Sequence, residues 1–110
     1  MKNILTLRQL CEKYHVTRRA VQGYEKIGLL KTSHKDSRGY LLYDFNDQQR
    51  VQKIKQFQQF GFQLKEIKDI IDAPNDILKK ELENKVLELE QKQMDLKEVI
   101  LEIHALIESL

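Results

Sequence analysis

From Leu82 onward an apolar residue recurs at every seventh position: Leu82, Leu89, Leu96, Ile103 and Leu110. Leu78, Val99 and Leu106 fall on the matching second seam position, and Val86, Ile100 and Ile107 lie beside the first and widen the stripe. No proline interrupts the run after Pro74. Heptads sustained in this way belong to a coiled coil. At about 1.5 Å per residue the helix from Asn75 to Leu110 is roughly 50 Å long. Such a helix cannot bury its own stripe, so the pattern predicts a partner helix. Lys85 and Lys92 sit on the second seam position and Gln93 beside it. They weaken the middle of a parallel zipper. They are better placed at the edge of an antiparallel pair, or against the domain of a partner subunit, and the spacing leaves that choice open.

The charge is divided along the chain. Residues 1–72 hold fourteen Lys or Arg against eight Asp or Glu, and residues 73–110 hold five against nine. The net charge of +2 is therefore the difference between a basic front and an acidic back. A basic front points to a polyanion, most often nucleic acid.

The front half reads as short helices with turn residues between them. Thr6 and Gln9 have capping-box spacing, and Leu7, Leu10, Cys11 and Tyr14 then lie on one helical face. Thr17 is an N-cap for a second helix, with Ala20, Val21 and Tyr24 on its inner face and Gly28 as a left-handed stop. Two short helices joined through His15 to Thr17 make a helix-turn-helix candidate. Leu29 and Leu30 read as a short buried strand or anchor. Ser33, His34, Lys35, Asp36, Ser37, Arg38 and Gly39 form a polar, basic tip, and Tyr40 to Tyr43 form a strand of high β-propensity. That hairpin is a wing. Asp44 and Asp47 open a third helix, which carries Val51, Ile54 and Phe57 and stops at Gly61. A fourth begins near Phe62 and Leu64, with Ile67, Ile70 and Ile71 facing inward, and Pro74 closes the unit. Phe57, Phe60 and Phe62 read as core aromatics. The expected fold class is mainly α. Residues 1–73 are a winged helix-turn-helix domain, and residues 74–110 a coiled-coil dimerisation helix.

Three stretches together resemble the MerR family of bacterial transcription regulators. The first runs from Val16-Thr17 to Tyr24-Glu25-Lys26-Ile27-Gly28-Leu29-Leu30. The second is Gly39-Tyr40 with Tyr43 and Asp47 following. The third is Phe60-Gly61-Phe62-Gln63-Leu64-Lys65-Glu66-Ile67. They occur in the family's order and spacing over residues 4–72, and the long helix behind them matches the family's dimerisation helix. The sequence departs from the family where Gln22-Gly23 stands for Arg-Tyr, Leu41 for a wing arginine and Gln63 for a capping serine. The resemblance implies a homodimer, with the long helices paired antiparallel, on a pseudo-palindromic operator. It also implies binding between promoter elements, bending of the spacer, and RNA polymerase as a further partner. Metal-sensing members carry cysteines near the end of the long helix, and this stretch has none. The 110 residues include no effector domain, so the resemblance names no inducer.

Residue chemistry agrees with DNA recognition. Thr17, Arg18, Arg19 and Gln22 occupy the start of the second helix, the part that meets base edges in the major groove. Arginine presents a fork to guanine or phosphate, and glutamine pairs with adenine. Tyr24 is expected to give its hydroxyl to phosphate. Lys35 and Arg38 on the wing would meet phosphate or the minor groove. Tyr40 and Tyr43 suit either packing or a phosphate contact.

Other classes fit less well. His15, His34 and His104 lack metal-ligand spacing, and the chain shows no nucleophile–base pair or phosphate-cradling loop. No enzyme, cofactor or metal is expected. The one cysteine, Cys11, excludes an internal disulfide and reads as a small buried hydrophobe in a reducing cytoplasm, with a redox or metal sensor as the other reading. No apolar run approaches bilayer length, so no membrane is expected. Two rivals remain from the sequence. One is an excisionase-like DNA-architectural factor, against which the long helix argues. The other is a coiled-coil protein-interaction module.

Overall fold

The computed structural model describes residues 3–32 and 34–110. Ser33, read above as part of the polar tip, lies outside them. The chain forms two compact units, Met1–Asp72 and Ala73–Leu110.

The first unit runs β1 (Leu5–Thr6), α1 (Leu7–Tyr14), α2 (Arg18–Lys26), β2 (His34–Lys35), β3 (Leu41–Tyr43), α3 (Phe45–Gln59) and α4 (Leu64–Ile70). Local chemistry sets most of these boundaries. Thr6 Oγ1 accepts the Gln9 N–H at 3.2 Å while Gln9 Oε1 accepts the Thr6 N–H at 2.9 Å, completing the capping box that starts α1. His15 ends α1 in the left-handed region at φ 53°. Asp44 and Asp47 form a second box at the start of α3. At α4 the Glu66 carboxylate accepts the Gln63 N–H at 2.8 Å, so a glutamate serves where the capping serine is absent.

The strands form one small antiparallel sheet in the order β1-β3-β2, with Leu5 opposite Tyr43 and His34 opposite Leu42. β1 was not foreseen. Two residues are too short for any period-two signal, and they become a strand only because β3 lies beside them. Leu29 and Leu30 are an anchor and not a strand: both are buried in irregular backbone.

The core is built from Leu10 of α1, Val21 and Tyr24 of α2, Tyr43 of β3, Val51, Ile54 and Phe57 of α3, and Ile67 of α4. Phe62 joins it, but Phe60 is 37% exposed, which corrects the reading of all three phenylalanines as core. Phe57 and Phe60 stack with centroids 6.1 Å apart, so Phe60 covers the edge of the core from outside. Cys11 is half-buried, and burial pushes its thiol up from the usual range, which favours the unreactive protonated form.

Among these apolar residues one polar side chain is buried, Gln48, with 0% exposure. Its Nε2 donates to Asn3 O at 2.6 Å and Tyr43 O at 3.2 Å. Its Oε1 accepts from the Tyr14 hydroxyl at 3.0 Å and from Lys13 Nζ at 3.4 Å. One amide thus saturates groups from the N-terminus, α1 and β3. That satisfaction is what makes a buried polar side chain tolerable.

The second unit is α5, a single helix from Asn75 to Ser109. Its 35 residues give a length of about 52 Å at about 1.5 Å per residue. Leu89, Leu96, Val99, Ile100, Ile103, Leu106, Ile107, Leu110 and Val86 are all exposed on it, and Leu78 and Leu82 are half-buried. Lys85 turns to Glu88 one turn on, with Nζ 2.5 Å from Oε2. Among the described residues no helix is long and apolar enough to cross a membrane.

Candidate nucleic-acid interface

The turn between α1 and α2 is tight. After His15 the chain returns through Val16, whose N–H donates to Cys11 O at 3.2 Å and whose side chain is buried. Thr17 then caps α2, its Oγ1 accepting the Ala20 N–H at 3.0 Å. That cap leaves Arg18, Arg19 and Gln22 on the exposed face of the first turn and a half. Among the described residues none of these three side chains has an ion-pair or hydrogen-bond partner. Their donors are turned to solvent and available to an external anion or base edge.

Tyr24 differs from expectation. It is 2% exposed, and its hydroxyl donates to Gln58 Oε1 of α3 at 2.8 Å. The phosphate contact expected of it is thereby corrected. Position 24 falls on the inner side of α2 with Val21, so the ring packs and the hydroxyl proton is taken inside the protein. Burial raises its pKa further, which keeps it protonated at neutral pH.

Gly23 departs from the family pattern without structural need. An added Cβ there meets nothing within 4 Å. Glycine inside a helix costs about 1 kcal/mol relative to alanine. Gly23→Ala should therefore raise stability by about 0.5–1 kcal/mol. A thermal melt followed by circular dichroism checks it, and a lower midpoint would show that the helix needs the glycine.

Gly28 ends the segment at φ +83°, and Leu29 and Leu30 N–H both donate to Tyr24 O, at 2.9 and 3.3 Å. Arg50 of α3 fastens that exit. Its Nε donates to Leu29 O at 2.8 Å, and its two terminal nitrogens hold Asp72 at 2.5 and 2.8 Å. The guanidinium beside Asp72 holds that carboxyl below its ordinary range.

The wing tip is organised by Asp36. Its Oδ1 accepts the N–H of Arg38 at 2.8 Å and of Tyr40 at 3.0 Å, and its backbone N–H donates to Tyr40 O at 2.9 Å. Gly39 supplies the φ of +86° that the turn requires. Arg38 lies over the Tyr40 ring at 5.1 Å, and Tyr40 is 64% exposed. Lys35 is exposed on β2. His34, grouped with the polar tip from the sequence, lies in β2 with Nε2 3.0 Å from Asp44 Oδ2. Tyr43 is fully buried, which leaves it no surface for a phosphate contact.

A groove was not foreseen. It lies between the turn and α3, encloses about 1120 Å³, and is lined by Lys13, Lys53, Lys55, Gln52 and Gln56 beside Thr17 and Ala20, with no acidic residue in its lining. Lys55 is partly committed there, because its Nζ holds the carbonyls of Tyr14 and His15 at the end of α1. The glutamines carry no charge signal in the sequence, so their alignment on one face went unread.

Residues 5–74 match the model of the MerR HTH family regulatory protein, and residues 48–107 match that of MerR, DNA binding. The chain belongs to the MerR family. It is 35% identical over 94 residues to the HTH-type transcriptional activator mta of Bacillus subtilis (strain 168), covering 86% of this chain and 37% of that protein. The chain spans about a third of the length of that activator and of the similar nodulation protein NolA of Bradyrhizobium elkanii. Among solved structures it is similar to MtaN, the N-terminus of the Bacillus subtilis multidrug transporter activator, with TM-score 0.81 and 33% identity, covering 93% of this chain and 96% of that one. HiNmlR, a MerR family regulator lacking the sensor domain and bound to promoter DNA, shares the fold at TM-score 0.69 and 22% identity, over 88% of this chain and 78% of that one. These likenesses agree with the mainly helical fold with a wing and a long C-terminal helix.

Proposed function

We propose that this MerR-family chain is a transcription regulator that binds duplex DNA as a homodimer and works in the cytoplasm. The observation that carries the reading is the unpartnered set Arg18, Arg19 and Gln22 on the capped start of α2, together with a wing whose tip presents Lys35 and Arg38. Arg18, Arg19 and Gln22 read base edges, with Thr17 fixing the start of the helix. Lys35 and Arg38 neutralise phosphate, with Tyr40 bracing the Arg38 guanidinium. Tyr24 acts from inside, holding α2 to α3. The exposed stripe of α5 supports pairing of two copies, antiparallel, through Leu78, Leu82, Val86, Leu89, Leu96, Val99, Ile100, Ile103, Leu106, Ile107 and Leu110. Two identical heads then call for a pseudo-palindromic operator with half-sites about one helical turn, roughly 34 Å, apart. On a promoter, deformability of the untouched central base pairs adds to specificity, and RNA polymerase is the partner that reads the outcome.

The test is salt dependence. Binding to a duplex selected from a random library by the intact chain should weaken steeply with salt. The slope of log affinity against log salt should lose about 0.9 for each phosphate contact removed by Lys35→Ala or Arg38→Ala. Affinity indifferent to salt, or no retention of duplex at low salt, would overturn the reading.

A further inference from the structure

The two pieces of the first unit proposed to face DNA belong to different elements, and one part-buried side-chain hydrogen bond joins them. Tyr43 of β3 donates its hydroxyl to Glu25 Oε2 of α2 at 3.1 Å, and Tyr43 has no exposed surface. The other side-chain ties around the wing, among the described residues, run elsewhere. His34 meets Asp44 at the start of α3, Thr32 donates to Leu42 O at 2.6 Å within the hairpin, and Gln48 of α3 donates to Tyr43 O. The backbone of β3 packs chiefly along β1, β2, α1 and α3. The recognition helix and the wing strand thus communicate through a carboxylate and a phenol.

We propose that Glu25 and Tyr43 are positioning residues that fix the wing against the recognition helix, so that Lys35 and Arg38 engage the same duplex as Arg18 and Arg19. The inference rests on the DNA-binding reading above and adds to it the pair that registers one contact set against the other. Glu25 is the acceptor, and Tyr43 has no water to turn to. Loss of Glu25 leaves the buried Tyr43 hydroxyl unpaired, and loss of that hydroxyl frees the half-buried Glu25 carboxylate to turn to water; either change removes the tie that holds the strand against α2. Asp47 adds negative charge near both groups. That neighbour keeps the phenol in its protonated, donating form. Burial dominates the same effect, raising the Tyr43 pKa far above that of an ordinary phenol.

A double-mutant experiment on the full chain separates positioning from mere support. The probe is the duplex selected from a random library by the wild-type chain. In the wild type, Lys35→Ala with Arg38→Ala should weaken binding by about tenfold. In a Tyr43→Phe background the same pair should cost less than about twofold, because the wing has already lost its register. Glu25→Ala should behave like Tyr43→Phe, whereas Glu25→Gln, which keeps an acceptor for the phenol, should restore most of the wing's contribution. Equal wing costs in both backgrounds would overturn the inference while leaving DNA binding intact. No binding by the wild type, in contrast, would remove the reading beneath it. Amide hydrogen exchange gives a second measurement without DNA. Leu41 to Tyr43 should exchange faster in Tyr43→Phe and Glu25→Ala and at the wild-type rate in Glu25→Gln. Unchanged exchange in all three would also overturn it.

Discussion

Replacing Leu89 and Leu96 together by lysine should turn a dimer into a monomer at micromolar concentration and reduce operator affinity by about a hundredfold or more. Both leucines stand on the main seam of α5, 45% and 63% exposed in the single chain. A lysine at either place stays hydrated in the monomer, so the helix itself loses little. In the pair, each lysine must enter a seam where a buried leucine contributes roughly 1.5–3 kcal/mol. Four substituted positions per dimer cost about 6–12 kcal/mol, comparable to the roughly 8–12 kcal/mol net that holds a micromolar to nanomolar dimer together. Each head would then grip its half-site alone, and the gain from tethering, on the order of 10²–10⁴, disappears. Sedimentation velocity reports the first effect and fluorescence anisotropy on the selected duplex the second. A variant that sediments with the wild type would refute pairing through this face, and a wild type that sediments as a folded monomer would refute pairing altogether.

Arg18→Ala and Arg19→Ala should each cost about 1–3 kcal/mol of binding, roughly five- to 150-fold, without lowering the melting temperature. The two guanidinium groups have no partner among the described residues, and Thr17 caps the helix independently of both. Nothing in the fold depends on them, and surface substitutions of that kind stay within about 0.5 kcal/mol. Lysine at the same positions is more discriminating. It keeps the charge and loses the two-pronged fork, so binding to random duplex should persist while preference for the selected sequence falls. If both alanine variants keep wild-type affinity, α2 is not the reading helix, and the acid-free groove beside it becomes the surface to mutate next.

Several features are legible in the sequence, because their signals are local. The capping boxes at Thr6 and Asp44 need residues three apart, the left-handed stop at Gly28 needs one glycine, and α5 needs only its seven-residue period. The wing was legible from its basic tip and aromatic strand. What the sequence concealed depends on distant neighbours. β1 exists through pairing with β3. Gln48 sits in a run of outwardly polar residues and gains its role from Asn3, Tyr14 and Tyr43. Tyr24 has the pattern of a phosphate donor, yet its hydroxyl meets Gln58, 34 positions away in the chain. Arg50 looks like one more surface cation and instead clasps Leu29 and Asp72. In each case a partner lies far away in the chain and could not be read from spacing.

The amide at the heart of the head has a practical consequence. Gln48 bears no charge, and three of its four contacts at the junction of the N-terminus, α1 and β3 are with neutral groups, so the junction depends little on a screened attraction. On the DNA-binding reading, added electrolyte should therefore strip the duplex from the surface while leaving this junction intact. A protein eluted from DNA with concentrated salt should rebind at once on dilution, with no refolding lag.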